Sequence, residues 1–192
     1  MSSRPSEGDS SGTGTATGLA ALLSRWGFSL SGWRDNRHGE WWLAAQLLLL
    51  VALLLPAWPR PLSLGLVWPQ APRFGGAGLV LLAVGLGLQA LLRLGPSLTP
   101  LPEPMPGAPL VTDGAYGRCR HPLYQAILIG ALGMTLLLGS LLHLLLLLAL
   151  AAVLGGKARR EERALCREHQ DYPAYRATTA AIVPRIPWLD WR

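Results

Sequence analysis

The chain has 192 residues, of which 51% are hydrophobic and 15% charged, with a formal net charge of +6. So low a charged fraction argues against an ordinary soluble domain and for a small polytopic membrane protein of one domain. The positive balance points to nucleic acid or to a membrane surface. The basic residues flank apolar runs and no nucleic-acid-binding motif is present, so the membrane is the expected partner and nucleic acid is not.

Residues 1–18 are rich in Ser, Gly and Thr and nearly lack large apolar side chains, so they are expected to be disordered. They have no basic segment leading into an apolar core and do not read as a signal peptide. Residues 19–40 mix Leu22, Leu23, Trp26, Phe28, Leu30 and Trp33 with Arg25, Arg34 and Arg37. This is either a short interfacial helix or a loosely ordered basic lead-in. The membrane domain then occupies 41–192.

Its first predicted span is 41–58, about 27 Å of helix, bracketed by Trp41, Trp42 and Trp58 and closed by Pro56. Pro59, Pro61, Pro69 and Pro72 make 59–73 a rigid loop. The second span is predicted over 74–94. Its glycines (Gly75, Gly76, Gly78, Gly85 and Gly87) suit close helix packing, and Gln89 suits a hydrogen bond to a neighbour. Six prolines rule out a regular helix in 95–113.

Pro122 suits the first position of a new helix. The apolar run that follows reaches Gly156. As one helix it would measure about 50 Å, more than a bilayer needs. A break at Gly139-Ser140 gives an antiparallel pair, 122–138 and 141–156. His143 falls near the turn in a structural or solvated role. From Lys157 the chain becomes a basic amphipathic tail, with Leu165 and Cys166 turned from Arg159, Arg163 and Arg167, and with Trp188 and Trp191 at the interface. Cys119 and Cys166 lack metal-ligand spacing and lie beside basic residues. Free thiols and no metal site are expected, with palmitoylation as the alternative.

The fold class expected is therefore all-α and polytopic, with about four transmembrane helices. These include a C-terminal hairpin and are followed by amphipathic tail helices. Basic residues cluster before the first span, around Arg93, Arg118 and Arg120, and after Gly156, while the Gly139 turn carries no charge. Both termini are placed in the cytoplasm, with a bacterial inner membrane expected. Folding the hairpin back brings two polar ends together. Tyr116, Arg118, Arg120, His121 and Tyr124 lie at one end, and Lys157, Arg159, Arg160, Glu161 and Glu162 at the other. That meeting is the expected active site.

The string LVTDGAYGRCRHPLY, a glycine-broken apolar hairpin, EERAL, and then Tyr172, Tyr175 and IVP resemble the isoprenylcysteine carboxyl methyltransferase family. More broadly they resemble membrane methyltransferases that include phospholipid N-methyltransferases. The resemblance covers about 93–187 and rests on RHPxY at 120–124 combined with Glu161-Glu162. It implies S-adenosyl-L-methionine as methyl donor, held by Ala108, Pro109, Leu110, Val111, Tyr116, Arg120, His121, Pro122, Leu123, Tyr124 and Glu161. It also implies that Lys157, standing where the family commonly has Arg, meets the acceptor's carboxylate, with Arg159 or Arg160 able to substitute. Glu162 completes the catalytic set.

The residue chemistry agrees. A carboxylate such as Glu161 suits the donor's ammonium, the helix start at His121 suits an anionic or hydroxyl group, and Tyr116 and Tyr124 suit purine and ribose. An ionised carboxylate acceptor needs only a cation such as Lys157 to hold it. An amine acceptor needs a proton acceptor, Glu162 or His121. The expected acceptor is a lipophilic or prenylated molecule drawn from the bilayer among membrane lipids. The alternatives are an amine-bearing lipid as acceptor, or a non-catalytic lipid-binding membrane protein.

Overall fold

The structure is a computed structural model that describes residues 34, 36, 39–95, 99, 101 and 107–191. The expected tail 1–18, most of the lead-in 19–40 and most of the loop 96–106 lie outside the described residues. Among the described residues, five α-helices with given bounds follow one another: α1 (Glu40–Ala52), α2 (Gln70–Leu94), α3 (Pro122–Leu138), α4 (Leu141–Glu168) and α5 (Tyr172–Thr178). A short 3-10 turn, Pro61–Leu64, precedes α2, and no strand occurs among the described residues.

Two helices, α2 and α4, are long and apolar enough to cross a membrane, while α1 and α3 are shorter. The full 41–58 span does not form. Pro56 has no N–H and its ring crowds the carbonyl four residues back, which belongs to Ala52, so the helix stops there. Its last turn tightens instead, with Leu54 N–H bonded to Val51 O at 3.0 Å and Leu55 N–H to Ala52 O at 3.1 Å. Thirteen residues rise about 20 Å, too little for a bilayer core. In contrast, α2 starts earlier than expected. Pro72 falls in the first turn, where backbone N–H groups have no helical partner to lose.

The hairpin break lies where glycine and charge pattern place it. Gly139 caps α3 in the left-handed conformation at φ 59, and the ring of Trp68 occupies the space a side chain there would need. Its second arm departs from expectation. The helix does not end near Gly156 but runs unbroken to Glu168, so the start of the basic tail is the second half of α4. Gly156 gives room to the ring of Trp42 from α1, and the helix passes through.

The principal core joins α1, α3, α4 and the C-terminal segment through Leu53, Leu128, Ala131, Leu150, Ala151, Leu154, Ala158, Ala181, Ile182 and Leu189. At the turn side, His143 is fully buried and bridges Ser140 Oγ at 3.0 Å and Leu53 O at 3.2 Å. Of the structural or solvated role open to it in the sequence, the structure gives the first. α2 packs along α3, where Gly76 and Gly133 let the backbones touch. Gln89 reaches the loop residue Arg118 rather than a helix.

Candidate active site

The site is built where the two ends of the hairpin meet. Arg120 N–H bonds Ala180 O at 2.8 Å and His121 N–H bonds Ala181 O at 3.0 Å, so the C-terminal chain pins the extended residues before Pro122. Pro122 then opens α3 with its fixed φ. One turn sets out His121 and Tyr124, whose rings stack with centroids 5.3 Å apart. From α4, Glu161 accepts a hydrogen bond from Tyr124 Oη at 2.9 Å and lies 3.7 Å from His121 Nδ1. Glu162 Oε1 lies 3.0 Å from His121 Nε2.

The two neighbouring glutamates face different surroundings. The Glu162 side chain is 2% exposed. It accepts from Arg120 Nε at 2.7 Å and from Trp191 Nε1 at 2.6 Å, with Arg176 3.6 Å away. Arg120 also donates to the carbonyls of Arg176, Thr179 and Trp191. A buried ion pair with so many hydrogen bonds is a fixed strut. Glu161, 29% exposed at its side chain, lines two adjoining cavities instead.

The first cavity is lined by Ala108, Pro109, Leu110, Val111, Tyr116, Arg120 and Glu161, all expected from the sequence. It is completed by Leu94, Thr99, Leu165, His169, Tyr172 and Tyr175, which the sequence reading did not assign. Tyr175 donates to Tyr116 O at 2.6 Å. The hydroxyl of Tyr172 is buried and has no hydrogen-bond partner among the described residues. Burial raises the pKa of Tyr116, Tyr172 and Tyr175 well above the usual phenol range, so all three remain neutral donors. Burial likewise pushes the Cys119 thiol up to about 11. Both cysteines are free.

The second cavity, about 290 Å³, shares Leu94, Thr99, Tyr116, Arg120 and Glu161 with the first. Its own lining includes Leu123, Tyr124 and Lys157. Lys157 Nζ lies 5.4 Å from the Tyr124 ring centroid. Through Leu91, Leu123 and Ile127 this cavity adjoins an apolar groove of about 460 Å³ between α1, α2 and α3. Arg159 turns elsewhere, stacking 4.6 Å from the Trp191 ring centroid and donating to Trp188 O. Arg160 is not among the residues lining either cavity. Pro122 is buried at the start of α3. Trp191, expected at the membrane interface, donates its indole N–H to Glu162. Among the described residues, no group of three or more His, Cys, Asp or Glu could hold a metal ion.

A 78-residue stretch is 38% identical to the cobalt-zinc-cadmium resistance protein CzcN of Cupriavidus metallidurans, covering 40% of this chain and 36% of that protein. Over 78 residues it is also 36% identical to the nickel-cobalt-cadmium resistance protein NccN of Alcaligenes xylosoxydans xylosoxydans, covering 40% of this chain and 37% of that one. The matched stretch thus spans little more than a third of these relatives. No solved structure matches. Residues 76–167, from the second turn of α2 to the last turn of α4, match the model of the Isoprenylcysteine carboxyl methyltransferase (ICMT) family. Both hairpin ends, RHPxY and the glutamate pair all lie inside the segment that matches this family, and the resemblance read from the sequence rests on the same residues.

Proposed function

We propose that the protein is an integral-membrane, S-adenosylmethionine-dependent methyltransferase that esterifies the carboxylate of a lipophilic acceptor. The observation that carries this reading is the position of Glu161 in the wall common to two cavities. One is lined by three tyrosines, Tyr116, Tyr172 and Tyr175, and the other adjoins an apolar groove.

The first cavity offers groups whose chemistry suits the donor. The unpartnered Tyr172 hydroxyl offers a hydrogen bond to a ribose or carboxylate oxygen, and Glu161 offers a counter-charge to an ammonium. Bound there, S-adenosylmethionine supplies a methyl group on a sulfonium, open to direct displacement. Lys157 holds the acceptor carboxylate beside Glu161 and Tyr124. No general base is needed, because the carboxylate attacks already ionised. Leu91, Leu94, Leu123 and Ile127 keep water from that approach and receive the acceptor's tail. Glu162 serves through Arg120 and His121 as a positioning residue. We place this end of the bundle in the cytoplasm.

The test is transfer of labelled methyl from S-adenosylmethionine into a lipid extract by the full chain, followed by base treatment. Methyl esters release volatile methanol, whereas N-methyl groups do not, and label resistant to base would favour the amine acceptor. Glu161→Ala is expected to weaken cofactor binding by ~10-fold or more in calorimetry. Lys157→Ala is expected to retain that affinity and lose carboxylate turnover. Cofactor affinity unchanged in Glu161→Ala would count against the pocket.

A further inference from the structure

Lys157 comes to its cavity held by a residue from outside the segment that matches the family. Gln46 Oε1, on α1, accepts a hydrogen bond from Lys157 Nζ at 2.7 Å. The two residues are 9% and 3% exposed, and both line the cavity that also contains Glu161 and Tyr124. After Glu40, Gln46 is the sole polar residue of α1, and Leu43 and Leu47 beside it line the same cavity. An amide buried in such surroundings is costly unless hydrogen-bonded, so its place is tied to the lysine. The register is fixed one turn earlier, where the Trp42 ring fills the space over Gly156.

We propose that Gln46 is the positioning residue that sets acceptor specificity. Its neutral amide holds the Lys157 ammonium at the cavity wall without adding a second carboxylate to that of Glu161, which the donor's ammonium engages in the proposed reading. The cavity therefore takes an anionic, carboxylate-bearing amphiphile in preference to the uncharged ester that methylation makes of it. A carboxylate at position 46 would hold the lysine as well but neutralise it. The inference rests on the reading that the acceptor's head group lies in this cavity.

The experiment uses the full chain in detergent and two probes, N-acetyl-S-farnesylcysteine and its methyl ester. The affinity for each is measured alongside that for S-adenosylmethionine. The wild type is expected to bind the acid about tenfold more tightly than the ester, the worth of one charge-assisted hydrogen bond. Gln46→Glu is expected to bring that ratio close to one, with the cofactor affinity held within about twofold. Should Gln46→Glu fail to fold, the near-isosteric Gln46→Met is read in the same way, with the ratio again falling. An unchanged ratio in the folded variant overturns the proposal, as does equal binding of acid and ester by the wild type. A wild type that prefers the acid yet transfers no methyl group would sink the enzymatic reading while supporting the role of Gln46.

Discussion

Glu161 and Glu162 are the clearest case of one residue type taking two roles. Adjacent helical positions point about 100° apart, so one carboxylate reaches the cavities while the other enters the Arg120–Trp191 cluster. The sequence singles out the pair but does not show which member faces inward, since that depends on what packs against each side of α4. Tyr172 was similarly opaque. It stands seven residues beyond Leu165, and only the fold of α5 against α4 brings it to the cavity wall. Tyr172→Phe is expected to weaken S-adenosylmethionine binding by roughly 3- to 10-fold, as loss of one neutral hydrogen bond would. Its thermal midpoint should stay near the wild type, because the hydroxyl has no protein partner to abandon. Calorimetry with a parallel melt decides the point. At Cys119, 1% exposure and a pKa of about 11 leave little thiolate at pH 8. A maleimide is expected to label the half-buried Cys166 first, and peptide mass mapping would show the order.

Among the elements, the hairpin was legible because a glycine, a serine and an uncharged turn coincide at its tip. The start of α3 was legible because proline favours a helix's first position. Less legible was the end of α1, where the steric reach of Pro56 extends four residues back. So was the continuation of α4, since Gly155-Gly156 reads as a terminus until Trp42 is seen to need the space. The bond made by the C-terminal segment was hidden for a related reason. Trp191 has the composition of an interfacial anchor, yet its indole is a donor to a buried carboxylate 29 positions away. Trp191→Phe removes that donor while keeping an aromatic ring under Arg159. Leaving Glu162 Oε2 short of a partner in a buried site is expected to cost about 1–3 kcal/mol. A lowered melting temperature in detergent, with Arg120 and His121 intact, is the measurement. A melt equal to wild type would show the contact to be dispensable.

At the scale of the whole molecule, the sequence led to an all-helical membrane architecture and to a site at the hairpin's polar ends, and the structure brings those ends together. What it could not supply was the contribution of α1, which carries no recognisable motif and lies before the matched segment. Leucines along α1 look interchangeable in sequence. Only the crossing of α1 over α4 distinguishes Gln46 from an incidental polar residue in a greasy helix.

The early stop of α1 reaches beyond the protein itself. Leu54, Trp58, Leu62 and Val67, in the turns that replace its missing half, all present open apolar surface. Seated in a bilayer, such a belt would be covered only by local thinning and looser packing of the leaflet beside it. A guest molecule approaching the groove next to α1 would leave a neighbourhood of lipid already disturbed, and would surrender less order on departing from it.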